Sequence, residues 1–144
     1  MHEDATDGLM TVGELSRRTG LSIKAIRQYE ALGLIYSAGR SDGNYRLFDE
    51  TALWCAHVIE TLRSLGLTIK EIDRLARAYL ARPDESIGPA LGAALAASER
   101  RIDDRIAELA AVRRRIRGYR ARNAAALADG DGDLFGSDPR RRAA

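Results

Sequence analysis

Three long polar side chains share one face of a short predicted helix, and their chemistry suits an extended polyanion. Lys24, Arg27 and Gln28 stand at positions i, i+3 and i+4, which a helix brings to the same side. A guanidinium can bind guanine through two hydrogen bonds, an amide can bind adenine in the same way, and a nearby cation can hold a phosphate. This set of residue types therefore predicts a face that lies in the major groove of duplex DNA.

Two short predicted helices position this face. Thr11 followed by Glu14 is a capping-box signature for the start of the first helix, and Gly20 ends it. Ser22 is the candidate N-cap of the second helix, which ends near Gly33, where the lack of a Cβ suits a left-handed cap. This spacing is typical of a helix-turn-helix. The apolar positions predicted to pack beneath it are Leu15, Leu21, Ile23, Ile26, Leu32 and Leu34.

A glycine-rich loop with basic and aromatic residues follows the second helix. Asp42-Gly43 is a strong signal for a two-residue hairpin turn, which would place Arg40 and Arg46 on the two arms of a wing. The alternative is a small helical scaffold whose arginines are only solvated. For Arg63, near the end of a later helix, a contact to a flanking phosphate and a solvated surface charge both stay open. The complete set of predicted DNA contacts is Ser22, Lys24, Arg27, Gln28, Tyr29, Arg40, Asn44, Tyr45, Arg46 and Arg63.

This stretch resembles the DNA-binding domain of the MerR family of bacterial regulators, which have a winged helix-turn-helix fold. The matching positions are 11–15, 19–22, 26–27, 29–30, 33–35, 45–46, 62–63, 65–66 and 70–72. Gln28 stands where the family usually has an aromatic residue, and Phe48 where it usually has tyrosine, so the operator sequence is harder to predict. The resemblance implies a transcription regulator that bends and untwists the promoter spacer, so that RNA polymerase engages both of its recognition elements.

Composition sets the limits around this interpretation. The chain has 144 residues and a formal net charge of +2, consistent with one domain and an appendage. Residues 17–46 and 100–122 are basic and 129–138 acidic, which suits a sequence-reading binder better than a nonspecific DNA coat. The N-terminal residues do not resemble a signal peptide, and no apolar run could span a membrane. We therefore expect a cytoplasmic protein with no membrane partner.

Two more helices are predicted between Asp49 and Leu80. Asp49 or Glu50 opens the first, and Thr68 with Glu71 forms another capping box at the start of the second. Trp54 and His57 are interpreted as packing or surface residues, because neither has a partner at ligand spacing. The predicted buried positions of this pair are Leu53, Ala56, Ile59, Leu62, Leu65, Ile72, Leu75, Ala76 and Tyr79.

A long helix with heptad spacing follows the prolines at 83 and 89. Two rows of apolar residues over about four heptads indicate a coiled coil, and a second copy of the chain is the simplest partner. The alternative is a helix that folds back on its own domain. The resemblance to the MerR family implies that this helix pairs antiparallel with that of a second copy across a two-fold axis. Such symmetry predicts a pseudo-palindromic operator. The predicted dimer contacts are Leu91, Leu95, Ile102, Ile106, Leu109, Val112, Ile116 and Tyr119.

The predicted fold class is mainly α. A winged helix-turn-helix DNA-binding domain is followed by a second helix pair and a long antiparallel dimerisation helix. The predicted boundaries are a disordered N-terminal tail at 1–9, the DNA-binding domain at 10–80, a linker at 81–89, the coiled-coil helix at 90–124 and a disordered tail at 125–144.

Neither a cofactor nor a metal site is predicted. Metal-responsive members of the family carry cysteines near the end of the long helix, whereas residues 118–144 contain none. Asp129, Asp131 and Asp133 resemble the start of a calcium loop, but its sixth and twelfth positions are Leu134 and Arg140. Three interpretations of the regulatory signal stay open. They are a small molecule held between the coiled coil and the heads, modification of Cys55, or no effector at all, as in an effector-free repressor.

Other classes of function are weighed against regulation. An enzyme is not predicted, because no nucleophile lies beside a base and no glycine loop could cradle a phosphate. A DNA-architectural or excision-type factor also uses a winged helix, but it usually lacks a long dimerisation helix. A protein-interaction module would use the coiled coil with another partner and would not bind duplex DNA.

Overall fold

The computed structural model describes residues 8–129 and 134–142 and is mainly α, as predicted. Residues 1–7, most of the predicted N-terminal tail, lie outside the described part. No helix within it is long and apolar enough to cross a membrane. The elements are β1 (Met10–Thr11), α1 (Val12–Thr19), α2 (Ile23–Ala31), β2 (Gly39–Arg40), β3 (Arg46–Phe48), α3 (Glu50–Ser64), α4 (Ile69–Ala81), α5 (Gly88–Arg122), α6 (Ala124–Asp129) and a 3-10 helix (Pro139–Arg142).

The first four helices begin at the caps predicted from sequence. Thr11 accepts a hydrogen bond from a backbone N–H of α1 at 3.3 Å, Ser22 from one of α2 at 3.0 Å, and Asp49 from one of α3 at 3.0 Å. Thr68 and Glu71 form the complete capping box of α4, with reciprocal bonds of 3.2 and 3.0 Å. These caps satisfy N–H groups that have no partner inside the helix.

The wing is a small antiparallel sheet in the order β1-β3-β2, in which Met10 pairs with Phe48 and Gly39 with Leu47. Its turn differs from the predicted two-residue form. The backbone N–H of Asn44 donates to the Ser41 carbonyl at 2.8 Å, and Asn44 has φ +65°. A turn followed by one left-handed residue is the usual form of a three-residue hairpin loop, and asparagine tolerates that conformation.

The core lies between α1, α2, the wing and α3, and its largest fully buried side chains are Phe48, Leu15, Ile26, Ile35 and Leu67. The predicted pattern is correct for most positions, but four predicted core residues are exposed. These four are Ile23, Leu32, Leu65 and Tyr79, with exposed fractions of 38 to 53%. Each lies at or near the end of its helix, where the apolar face runs past the elements that could cover it.

The helix α5 begins two residues earlier than predicted, because Pro89 lies in its first turn, where a missing N–H is tolerated. Leu91 and Leu95 pack against the core of the head but are only partly buried, so their assignment to a dimer contact stays a prediction. The described residues up to Glu99 form one compact unit and those from Arg100 onward a second. The second unit contains α6 and the 3-10 helix, in the segment 125–144 for which the sequence predicts disorder. Residues 130–133 of the calcium-like loop lie outside the described part.

Candidate nucleic-acid interface

The predicted recognition face is exposed on α2. Lys24, Arg27 and Gln28 are all accessible, whereas Ile26 is fully buried and Tyr29 is 6% exposed. The helix therefore packs one side on the core and leaves the side with two cations and an amide open to solvent. This is the arrangement required for side chains that reach base edges in a groove.

Tyr29 differs from the other predicted contacts of α2 in its burial. It belongs to the core cluster of the head and is 6% exposed, so most of its side chain packs and its predicted DNA contact stays a prediction. The helical period gives the reason: Tyr29 stands three residues after Ile26 and shares its side of α2, whereas Gln28 lies on the open side.

Hydrogen bonds at the end of α1 and across its short connection to α2 hold the angle between the two helices. The Ser16 hydroxyl donates to the Leu21 carbonyl at 2.6 Å, and the Thr19 hydroxyl donates to the Leu15 carbonyl at 2.7 Å. The Thr19 oxygen also accepts from the Leu21 N–H at 3.3 Å, and Gly20 has φ +77°. These bonds satisfy the turn locally and hold the exposed face of α2 at one orientation relative to the rest of the head.

The wing is joined to the recognition helix by an ion pair. Arg46 on β3 donates to the Glu30 carboxylate on α2 at 2.7 Å, and the Glu30 side chain is only 14% exposed. Within the wing, Arg40 donates to both the backbone and side-chain oxygens of Asn44 at 3.3 Å. Arg46, Arg40 and Asn44 are therefore positioned by contacts within the head, and each remains exposed.

Two exposed tyrosines flank the wing. Tyr45 was a predicted contact and is 71% exposed, whereas Tyr36 was not predicted and is 65% exposed. A Cβ built on Gly33, at the end of α2, would lie 3.5 Å from the Tyr36 hydroxyl. The sequence signal for Tyr36 is its position directly after the buried pair Leu34 and Ile35, where the chain leaves the core.

Arg63 makes a contact within the protein, which differs from both the phosphate contact and the solvated surface charge considered from the sequence. Its guanidinium donates to the Leu67 carbonyl at 2.9 Å, across the turn between α3 and α4. Arg63 therefore joins the C-terminal end of α3 to the turn that follows it. Its side chain is still exposed, so the predicted phosphate contact stays a prediction.

Cys55 is a half-buried thiol that packs against the core. Burial raises its pKa, and the negative charge of Asp49 raises the pKa further. A sensor cysteine needs the opposite shift, because the thiolate is the reactive form. Within residues 8–129 and 134–142, no group of three or more His, Cys, Asp or Glu side chains could hold a metal ion.

A helix-turn-helix joined to a β-wing and followed by two further helices defines the class of winged helix-turn-helix proteins. The model for MerR HTH family regulatory proteins matches residues 10–79, and the model described as MerR, DNA binding, matches residues 56–119. The chain belongs to the MerR family, which is a family of transcription regulators and not of enzymes.

Known proteins similar to this chain agree with that membership. The mercuric resistance operon regulatory protein of Bacillus cereus is 38% identical over 64 residues, which are 44% of this chain and 48% of that protein. The lead-bound transcription regulator PbrR691 of Ralstonia metallidurans superposes with a TM-score of 0.63 at 29% identity, covering 78% of this chain and 86% of that one. EcmrR, solved in the EcmrR–DNA complex in EcmrR-RPo, superposes with a TM-score of 0.58 at 25% identity, covering 80% and 40%. The chain spans only about a quarter to a half of the length of the first curated relatives that it matches.

Proposed function

We propose that this chain is a sequence-specific regulator that binds double-stranded DNA at promoters as a homodimer. The observation that supports this most directly is the open face of α2, where Lys24, Arg27 and Gln28 are exposed beside a wing that Glu30 and Arg46 hold in place. In this proposal Arg27 and Gln28 read base edges in the major groove, and Lys24 binds a phosphate.

The wing and its neighbours supply the contacts to the DNA backbone. Arg40, Asn44, Tyr45 and Arg46 are exposed along the hairpin and would lie against the phosphates that flank the groove. Tyr36 joins this set, because its side chain is exposed next to the end of the recognition helix. Ser22 at the N-terminus of α2 is also exposed and would donate to a phosphate.

The proposal of a homodimer is supported by an apolar stripe on α5. Its members are 39 to 59% exposed in the single chain, and a continuous row of exposed large apolar side chains is typical of a surface that binds another protein. We call this set the 102–119 stripe, and it consists of Ile102, Ile106, Leu109, Val112, Ile116 and Tyr119.

Charge favours an antiparallel pairing of the stripes. Six arginines and no acidic residue lie between positions 109 and 122, whereas four acidic residues and three arginines lie between 99 and 108. A parallel pair would place the two arginine clusters side by side, where like charges repel. A two-fold axis between Ala110 and Ala111 would instead bring each cluster near the four acidic residues of the partner helix, in a segment of lower positive charge. The same axis would set Ile102 opposite the partner's Tyr119.

Regulation in this proposal comes from DNA distortion. A dimer holds two recognition helices at a fixed separation, and an operator of different geometry must bend or untwist to fit both. RNA polymerase at the promoter is the proposed partner, supported by the similarity to EcmrR. A small-molecule effector would act by changing the relative populations of two dimer geometries.

The test is selection of bound fragments from a randomised duplex library, followed by affinity measurements over a range of salt concentrations. We expect a pseudo-palindromic consensus and a steep loss of affinity with salt, because bound cations displace counterions. Absence of salt-dependent duplex binding would contradict the proposal and favour a protein-interaction module. Footprints away from promoters would favour an architectural or excision-type factor.

A further inference from the structure

We infer that Ser98 is a positioning residue that fixes α5 on the DNA-binding head and thereby sets the half-site spacing of the operator. This inference rests on the proposed function. The Ser98 hydroxyl donates to the Leu65 carbonyl at 2.7 Å, linking α5 to the turn between α3 and α4 across 33 residues of chain. Ser98 is 3% exposed and is the one buried residue of α5.

The acceptor lies where a helix needs a donor. Leu65 is the C-cap of α3, and the last carbonyls of a helix have no partner within it. A hydroxyl aimed at one of them makes a directional contact, unlike the apolar packing of Leu91 and Leu95 on the same helix. Apolar contacts tolerate sliding and rotation, whereas a buried hydrogen bond has a preferred distance and angle. Ser98 therefore specifies the rotation and axial position of α5 more narrowly than its neighbours do.

The turn is shaped to receive this hydroxyl. Gly66 has φ +85°, and a Cβ built on it would lie 2.5 Å from the Ser98 oxygen. Any other residue at position 66 would force the Ser98 side chain, α5 or the turn to shift. The close approach therefore depends on a pair, with a glycine on one side and a small hydroxyl side chain on the other.

A small error at this contact would become large at the dimer axis. Ser98 stands one helical turn before Ile102, the first member of the 102–119 stripe, and 12 residues before Ala110. At 1.5 Å per residue that is about 18 Å, so a tilt of about 10° at Ser98 displaces the axis by about 3 Å. This displacement is close to the rise of one base pair, about 3.4 Å. The Ser98 contact therefore decides which half-site spacing the dimer fits without distortion.

The experiment measures the affinity of the full chain for operators whose half-sites are moved by one base pair in either direction, and for a duplex with a single half-site. For Ser98→Ala we expect at least a fivefold smaller preference for the best spacing and an unchanged affinity for the single half-site. Ser64→Ala is the matched control, because Ser64 is an exposed serine that bonds within α3. It should keep the wild-type profile.

Two further variants separate positioning from folding. Ser98→Cys keeps a side chain of the same shape but replaces the hydroxyl with a larger thiol that is a weaker donor, so it should show the same flattened profile in a folded dimer. Gly66→Ala should alter the spacing profile in the wild-type chain but less so in the Ser98→Ala background, where the opposing oxygen is gone. A changed melting temperature with an unchanged spacing profile would overturn the inference. Loss of all duplex binding by the wild-type chain would instead contradict the proposed function.

Discussion

The Glu30 carboxylate and the Arg46 guanidinium lie 2.7 Å apart and join the recognition helix to the wing across 16 residues of chain. Glu30 is shielded from solvent, whereas the Arg46 side chain is about half exposed. One arginine can therefore hold the wing in register with α2 and still offer donors to a phosphate, because a guanidinium has five N–H groups. The pair makes α2 and the wing a single surface.

Glu30→Gln is expected to reduce discrimination between the operator and random DNA. A charge-assisted bond is worth about 1.5 to 3 kcal/mol, and exposure of Arg46 reduces that to about 1 kcal/mol, or roughly fivefold in the affinity ratio. Affinity for random DNA should not fall, because a negative charge has been removed. Competition binding measures the ratio. Asp73→Asn removes the carboxylate of the exposed Arg77 pair on α4 and is the control. Equal effects of the two variants would contradict the prediction.

Arg27→Ala is expected to weaken operator binding by about 1 to 3 kcal/mol and to relax preference at one base position. The reason is that a guanidinium on the open face of α2 can read guanine through two hydrogen bonds. Repeating the library selection with the variant shows which position loses information. Arg77→Ala provides a matched loss of one positive charge on α4. If Arg27→Ala weakens all sequences equally, Arg27 contacts a phosphate and not a base.

Ile26→Ala and Ile23→Ala form a matched pair on one helix. Ile26 is fully buried, so its truncation should lower the free energy of unfolding by about 2 to 5 kcal/mol. Ile23 is 40% exposed, and its truncation should lower the same quantity by about 1 kcal/mol or less. Urea unfolding followed by circular dichroism measures both. A larger loss for Ile23→Ala would show that the two residues have been assigned to the wrong sides of α2.

Leu109→Glu is expected to convert the dimer into a monomer, because it places a charge in the centre of the 102–119 stripe. Ala107→Glu adds the same charge elsewhere on the exposed part of α5 and should leave the dimer intact. Sedimentation equilibrium distinguishes the two. A Leu109→Glu variant that remains dimeric would exclude the stripe as the interface. The expected monomeric Leu109→Glu variant should also lose cooperative binding to the two half-sites while keeping its affinity for a single half-site.

Cys55 is expected to react slowly with iodoacetamide at neutral pH. Its pKa is raised, so the protonated thiol predominates there, and the reactive thiolate appears only as the pH increases. Labelling in urea provides the unshielded reference rate. Cys55→Ser should leave regulation and its response to oxidants unchanged. Labelling of the folded chain at neutral pH as fast as in urea would revive the sensor hypothesis.

The local features of this protein were determined by the sequence alone. Thr11, Ser22, Asp49 and the Thr68–Glu71 box start helices where the sequence predicts, because a cap needs only residues within one turn of chain. The open face of α2 was predictable for the same reason, since a spacing of three or four residues fixes which side chains lie together. These local signals, with the MerR resemblance, identified the family.

The tertiary structure was needed to decide whether a residue packs against the core or lies on an outer surface. Tyr29 and Leu95 have the residue types of a DNA contact and a dimer contact, yet both pack against the core of the head. The bonds from Arg46 to Glu30 and from Ser98 to Leu65 join residues 16 and 33 positions apart, and no local pattern predicts such pairs. Burial and long-range hydrogen bonds depend on how the elements pack, and packing is a property of the whole fold.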